Sequence, residues 1–378
     1  ERVLAKYHLF ITDAPAGVVR HAVKAVTSAR PSSRYCSIFP GSSPGKRHRR
    51  AGSAKGQSLT ATAMSAILLP VADEPAWQVA ELAREALQPG FADVLVYHTG
   101  HLGRDPVTLA TLDFMKDLFA AVGWSSPQLS LCVLLPRLGW TPEKLASRSD
   151  LRGMAVHAAA PARQLGLALL TQLQSLGAVG LGVEPLFLEV GSQEAAAPIG
   201  SPSGICAPGS GAQARIHGQP GTALDRELSF KKVAVGGTFD RLHAGHRLLL
   251  AATAAVASAE IFVGITADRL LVNKQGREWL EAYEVRSGAA VGYMEATHPG
   301  VRVTAGPLLD PKEPPLATTD PSFEAIVVSE ETIHGAEAIN AGRAERGFAP
   351  LVVVVVGLVR GQHSSSGKLS STDLRLDR

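Results

Sequence analysis

The sequence predicts an α/β protein: a doubly wound parallel sheet of about five strands over residues 230–378, preceded by a second, smaller α/β region. Three observations carry this. From Phe230 onward, short apolar runs alternate with helix-compatible stretches, and that alternation calls for parallel strands with helices on both faces of one sheet. A stretch poor in aromatics and rich in Gly, Ala, Ser and Pro, residues 191–229, separates two better patterned regions. The 378 residues, 46% hydrophobic and 19% charged, suit a folded chain of two or three domains.

Residues 1–72 read as a disordered, targeting or extension segment. Residues 14–72 hold nine Lys and Arg and no Asp or Glu. The stretch "ARPSSRYCSIFPGSSPGKRHRRAGSAKG" lacks the apolar surface needed to offset its ordering entropy. An organelle-targeting leader, a nucleic-acid tail and a plain extension all remain open for it. Met64 opens "MSAILLPVADEPAW", a sensible natural start. The chain begins at Glu1 and closes at Arg378 within a predicted helix, as expected of a piece of a longer polypeptide.

Residues 73–190 form the smaller α/β region. "ADVLVYHTG" and "LSLCVLLP" read as buried strands, and "PAWQVAELAREAL" and "ARQLGLALLTQLQSLG" as amphipathic helices. No catalytic constellation stands out. His98 and His101 flank Gly100 and read as structural or solvated. Residues 191–229 read as a flexible linker.

Within residues 230–378, "KVAVGG", "EIFVGIT", "VRVTAG", "FEAIVVSEE" and "LVVVVVGLV" are the expected strands. "HAGHRLLLAATAAVASA", "YEVRSGAAVGYMEATH" and "TIHGAEAINAGRAERG" are the expected helices. Sheets of this Rossmann-like kind bind ligands beyond the carboxyl ends of their strands, so functional residues are expected just after each strand.

Composition excludes several classes. A formal net charge of +3 is too small to argue for nucleic acid. Cys36, Cys132 and Cys206 lie far apart with no CxxC pair, which excludes a disulfide scaffold or a simple zinc ribbon and fits a reducing compartment. No apolar run is long enough to cross a bilayer.

Two motifs carry chemistry. The first, "GGTFDRLHAGH" from Gly236 to His246, follows the first strand. It is not a dinucleotide fingerprint, because GxGxxG is absent. Its glycines let backbone approach a phosphate closely. His243 and His246 are three apart and share a helix face beside a positive helix end, which suits an anion. A structural His pair and zinc ligation are the alternatives, although no other His/Cys cluster lies nearby. The second motif, "GQHSSSGKLSSTDLR", imitates a P-loop. Five residues separate Gly361 from Gly367-Lys368, however, and Leu369 stands where a Mg²⁺-binding hydroxyl belongs. A Ser-rich loop closing a βα unit is the plainer reading.

Together these motifs resemble the (H/T)xGH and (I/L)SSTxxR signatures of the nucleotidyltransferase superfamily. The stretch "LLDPKEPPLATTDPSFEAIVVSEETIHGAEAINAGRAERG" narrows the resemblance to eukaryotic and archaeal phosphopantetheine adenylyltransferases, over about 150 residues from Lys231. In animals this domain is the first catalytic half of a bifunctional coenzyme A synthase. The resemblance therefore implies a dephospho-CoA kinase domain downstream, since no true GxxxxGK[S/T] occurs here.

It further implies AMP transfer from ATP to 4′-phosphopantetheine, with Mg²⁺ held mainly through the ATP phosphates and no protein metal cage. Location is cytoplasmic or mitochondrial. By motif match, His243 and His246 contact the nucleotide phosphates, and Thr238 orients the attacking phosphate. Lys274 in "LLVNK" binds phosphate, with a solvated lysine as the alternative. Gly236, Gly237, Phe239 and Asp240 shape the nucleotide turn, and Asp240 caps or orients it rather than acting as a base. Ser370, Ser371, Thr372 and Arg375 hold the β- and γ-phosphates. Ser329, Glu330 and Thr332, with Arg343, line the adenine or ribose side. Arg286 is either a structural ion pair or a ligand, and His334 and His363 are bystanders. A signature helix ending so soon after Arg375 predicts a marginal, poorly anchored end. A sister enzyme using CTP or another acceptor, and a non-catalytic scaffold, are the competing expectations.

Overall fold

In the computed structural model, the described residues are 65–190 (without 127–128, 179 and 183), 213–218, 226–361 (without 311) and 368–376. The uninterrupted apolar run Ala66–Val71 forms β1, with all six residues buried. Its neighbours are β2 (Asp93–His98), β3 (Ser130–Leu134), β4 (Leu151–His157) and β5 (Leu186–Leu188). They pair in parallel in the order β3-β2-β1-β4-β5. Between them run α1 (Ala76–Ala86), α2 (His101–Arg104), α3 (Leu109–Ser125), α4 (Pro142–Ala146) and α5 (Ala160–Ser175). A capping box fixes the start of α3, where the Thr108 backbone N–H donates to Thr111 Oγ1 at 3.2 Å.

The second sheet contains β6 (Arg215–Ile216), β7 (Phe230–Gly237), β8 (Ala257–Thr266), β9 (Arg302–Leu308), β10 (Ala325–Ser329) and β11 (Val352–Val356). Its order is β6-β11-β10-β7-β8-β9, parallel except for β6. Its helices are α6 (Ala244–Val256), α7 (Tyr283–Thr297), α8 (Leu316–Thr319), α9 (Ile333–Ala344) and α10 (Ser371–Leu376). Near-continuous Val, Ile and Ala in β10 and β11, and in residues 233–235 of β7, match strands buried on both faces.

The expected class and the five parallel strands of residues 230–378 are observed, and three details differ. The first sheet has five strands where two were read, because β1, β4 and β5 are short runs whose type periodicity alone does not settle. Strand β1 lies inside the stretch 1–72, so the expected boundary falls too late; residues 1–64 lie outside the described residues. The expected helix "HAGHRLLLAATAAVASA" stops at Val256, and its last residues open β8, paired to β7 through Phe230 and Ala257. Within the expected linker, residues 213–218 carry β6, which closes the β11 edge through Val354–Ile216 and Val355–Arg215 pairing.

The two sheets share one apolar cluster, with Met115, Phe119 and Val122 of α3 joining Ala244, Leu248 and Ala251 of α6. Polar contacts fix the register of this packing. Trp140 Nε1 donates to the Thr297 carbonyl at 3.0 Å, and Tyr293 Oη donates to the Leu131 carbonyl at 3.2 Å. Cys132 Sγ lies 3.4 Å from Thr297 Oγ1, and burial pushes its thiol up to about 11.

Candidate functional site

Strands β7 and β10 are neighbours in space with opposite crossovers, so the crevice beyond their carboxyl ends is the switch point of the second sheet. Both sequence motifs converge there.

The turn after β7 is held in an uncommon conformation. Phe239 and Arg241 have φ of 53° and 48°, the left-handed region that costs a side-chain-bearing residue about 1–2 kcal/mol. Surrounding contacts over-determine it. The Phe239 ring is fully buried beneath Gly237, where a Cβ would come within 3.1 Å of it. The Arg241 backbone N–H donates to Glu281 Oε2 at 2.8 Å, and the Glu281 N–H donates to Asp240 Oδ1 at 3.0 Å. Asp240 thus orients the turn. Arg286, fully buried, donates to the carbonyls of Glu281, Thr238 and Thr266 and to Asp268 Oδ1. It braces the turn from behind.

His243 caps α6, and its ring stacks on that of His246 with centroids 4.0 Å apart and planes at 21°. Gly245 permits this, since a Cβ there would lie 3.2 Å from the His243 ring. Burial, with the Arg247 guanidinium beside it, lowers the His243 pKa to about 4. Burial and His243 itself push His246 well below the ordinary histidine value. Both rings are therefore neutral near pH 7, and each has a buried Nδ1 without a partner among the described residues. Lys274 Nζ donates to Thr238 Oγ1 at 3.4 Å, and its pKa is lowered by burial and by the neighbouring Arg375 charge.

The second motif arrives through α10. The Leu369 N–H donates to the Val359 carbonyl at 2.9 Å, and Ser370 Oγ accepts the Asp373 N–H at 3.3 Å. Arg375, fully buried, ion-pairs with the equally buried Asp240. It also donates to the Gln275 carbonyl at 3.0 Å and to Thr372 Oγ1 at 2.9 Å. This pair joins two segments 135 residues apart, so the described helix α10 is anchored through Arg375 rather than marginal. The Arg375 guanidinium, expected to hold the β- and γ-phosphates, is engaged here by Asp240, Gln275 and Thr372. Residues 362–367, with His363, lie outside the described residues.

At the β10 exit, Ser329 Oγ and Thr332 Oγ1 are 3.2 Å apart. Glu330 pairs with Arg215 of β6 at 3.0 Å, and Glu331 pairs with Lys368, tying this loop to the second motif. Arg343 does not join the site. Its five donors go to the carbonyls of Ala349, Ala317, Asp320, Pro321 and Phe323, and the side chain is buried. It ties α9 to the segment before β10. His334 pairs with Glu337 on α9 at 2.9 Å.

Arg247 and Asp373 were missed, although Asp373 sits inside the second motif and Arg247 directly follows the first. Glu281 was beyond reach, because no sequence signal links it to Asp240 41 residues away. Ten buried side-chain nitrogen and oxygen atoms lack a hydrogen-bond partner among the described residues. Five belong to the two motif segments, Arg241 Nε, His243 Nδ1, His246 Nδ1, Asp373 Oδ2 and Arg375 Nε, and a sixth, Arg247 Nε, to the residue directly after the first motif. Buried polar atoms are nearly always paired, so such a concentration singles out these segments as the candidate site. No three His, Cys, Asp or Glu side chains converge as a metal cage among the described residues.

Residues 234–376 match the family described as cytidylyltransferase-like. A Saccharomyces cerevisiae protein named phosphopantetheine adenylyltransferase is 39% identical over 148 residues, 39% of this chain and 48% of the yeast protein. Proteins of the same name from Thermococcus gammatolerans and Methanopyrus kandleri are 38% and 39% identical, over 39% of this chain and 88% and 89% of theirs. The chain thus spans about half the length of its fungal relatives and most of the archaeal ones. On the archaeal coverage and the converging motifs together, the chain belongs to the phosphopantetheine adenylyltransferase family.

Proposed function

We propose that the chain transfers AMP from ATP to the phosphate of 4′-phosphopantetheine, releasing pyrophosphate and forming dephospho-CoA. One observation carries the reading: the cluster of unpartnered polar atoms in the two motifs, locked together by Asp240 and Arg375.

In the reaction an oxygen of the acceptor phosphate attacks the α-phosphorus of ATP in line. The bond from that phosphorus to the bridging oxygen breaks, and the electron pair leaves with pyrophosphate. Catalysis by positioning and fixed donors suits such a transfer, and no covalent enzyme intermediate is required. His243 and His246 act as neutral donors to phosphate oxygens, so the positive charge comes from Lys274 and Arg247. Thr238, 3.4 Å from Lys274 Nζ, orients the incoming phosphate. Gly236 and Gly237 admit the nucleotide, with Phe239 beneath. Ser370, Ser371 and Thr372 face the β- and γ-phosphates, while Arg375 acts indirectly by holding Asp240. Ser329, Glu330 and Thr332 line the nucleoside side. The donor set is rich in nitrogen and hydroxyl groups, which fits a Mg²⁺ ion carried in on the triphosphate; that ion offsets charge on the phosphate oxygens when bound. A downstream dephospho-CoA kinase domain, and residence in cytoplasm or mitochondrion, extend this reading and rest on the sequence resemblance. No helix among the described residues is long and apolar enough to cross a membrane.

The test is pyrophosphate release from Mg-ATP that depends on 4′-phosphopantetheine and falls at least about a hundredfold in His246→Ala. Equal or faster turnover with CTP or an alcohol phosphate would replace this reading with that of a sister enzyme.

A further inference from the structure

Helix α3 of the first unit ends against the segments that carry both motifs. A Cβ at Gly123 would come to 2.6 Å from Val359 Cγ1, 3.1 Å from Ala244 Cβ and 3.6 Å from Leu369 Cδ2. Ala244 lies directly after His243. Leu369 lies directly before Ser370. Val359 holds Leu369 through its carbonyl at 2.9 Å. A second contact comes from the same part of the first unit: Arg247, the residue after His246, donates through Nη1 to the Leu129 carbonyl at 3.4 Å.

We infer that the first α/β unit positions the nucleotide site, and that Gly123 is the positioning residue. The spacing between the histidine pair and the Ser-Thr turn is set by a platform with no side chain at its centre. Val359 is buried and β-branched, with few rotamers to retreat into. An added methyl at position 123 therefore pushes Val359, and through it Leu369 and Ser370, away from Ala244 and the histidines. A Cβ at Gly123 would meet the helix start beside the histidine pair, the residue before the Ser-Thr turn and the loop that joins that turn to β11. The inference rests on the proposed function in one respect: it takes the motifs to be where ATP binds.

The test uses the full chain and compares wild type, Gly123→Ala, Val359→Ala and the double variant. Mg-ATP affinity by calorimetry, KM for ATP, kcat and the thermal midpoint are measured. We expect Gly123→Ala to weaken ATP binding at least tenfold, with the loss in KM larger than in kcat. The double variant, which removes the obstructing methyls, returns to within threefold of Val359→Ala alone. Wild-type affinity in Gly123→Ala, or a loss that persists in the double variant, overturns the inference. If Gly123→Ala does not fold, the double variant decides: folded with ATP affinity restored supports the platform, and folded without affinity or unfolded overturns it. A wild-type chain that binds ATP yet releases no pyrophosphate with 4′-phosphopantetheine overturns the proposed function and leaves the affinity comparison standing. A wild-type chain with no ATP affinity overturns both.

Discussion

The two sheets share one strand order. Numbered from its own first strand, each runs 3-2-1-4-5, with β6 added at one edge of the second. Their carboxyl edges differ. In the second sheet a glycine turn, two stacked neutral histidines and a buried ion pair face the switch point. In the first, β1 passes through residues 72–75 straight into α1, and the crevice holds Glu74 and His157 at 3.7 Å. Its exposed rim pairs His101 with Asp105 at 3.4 Å. Topology thus supplies a crevice in both units, while the chemistry depends on which side chains the loops bring to it.

The sharpest way to break this comparison is at its ion pairs. Arg375→Met leaves Asp240 buried and unpaired, and we expect a loss of about 3–5 kcal/mol by urea unfolding, together with ATP binding. The corresponding first-unit change, His157→Gln, should cost only about 1 kcal/mol, because that contact is long. Equal effects would erase the distinction between the two crevices. Arg343→Met comes next. Stranding buried carbonyls on α8 and before β10 should cost about 3 kcal/mol, yet the folded fraction should bind ATP as wild type does.

Trp140→Phe removes the bond to the Thr297 carbonyl across the two units and should cost about 1–2 kcal/mol. Unfolding followed by tryptophan fluorescence and by ATP binding should still coincide, since the units share one core. Two separate transitions would show that they fold independently.

Acid should act next. The folded His243 pKa lies at about 4, below its value of about 6.5 in an unfolded chain. Its contribution is therefore complete above pH 6.5 and is lost as pH falls toward 4, amounting to about 1 kcal/mol at pH 5.5. A urea midpoint that falls over this window in wild type and falls less in His243→Gln would confirm the sign. The smallest effect is expected at the first crevice, where Arg104→Ala should leave ATP turnover within about twofold, as an exposed rim charge should.

Residues that act through local pattern were legible in the sequence. Alternating apolar runs marked the second sheet, and the His243/His246 spacing and the "LSSTDLR" turn marked the site. Residues whose role depends on distant partners were not. Arg343 and Arg375 look alike in a sequence, and only the fold separates one bound to five backbone carbonyls from one clamped on Asp240. Arg247 and Asp373 lay in plain view but carried no signal beyond their neighbours. Strands β4 and β5 were missed because short apolar runs are ambiguous by periodicity alone. The docking of α3 on α6 left no trace beyond Gly123, one glycine among 37.

The Asp240–Arg375 clamp also sets a timetable. During synthesis the arginine emerges 135 residues after its partner, a delay of roughly 7–27 s at ordinary elongation rates. Throughout that interval the aspartate has no counter-ion and the left-handed turn lacks one of its restraints. The Asp240–Arg375 clamp is therefore among the last features of the second sheet to form, and a ribosome stalled before the Arg375 codon would carry that sheet with its left-handed turn unclamped.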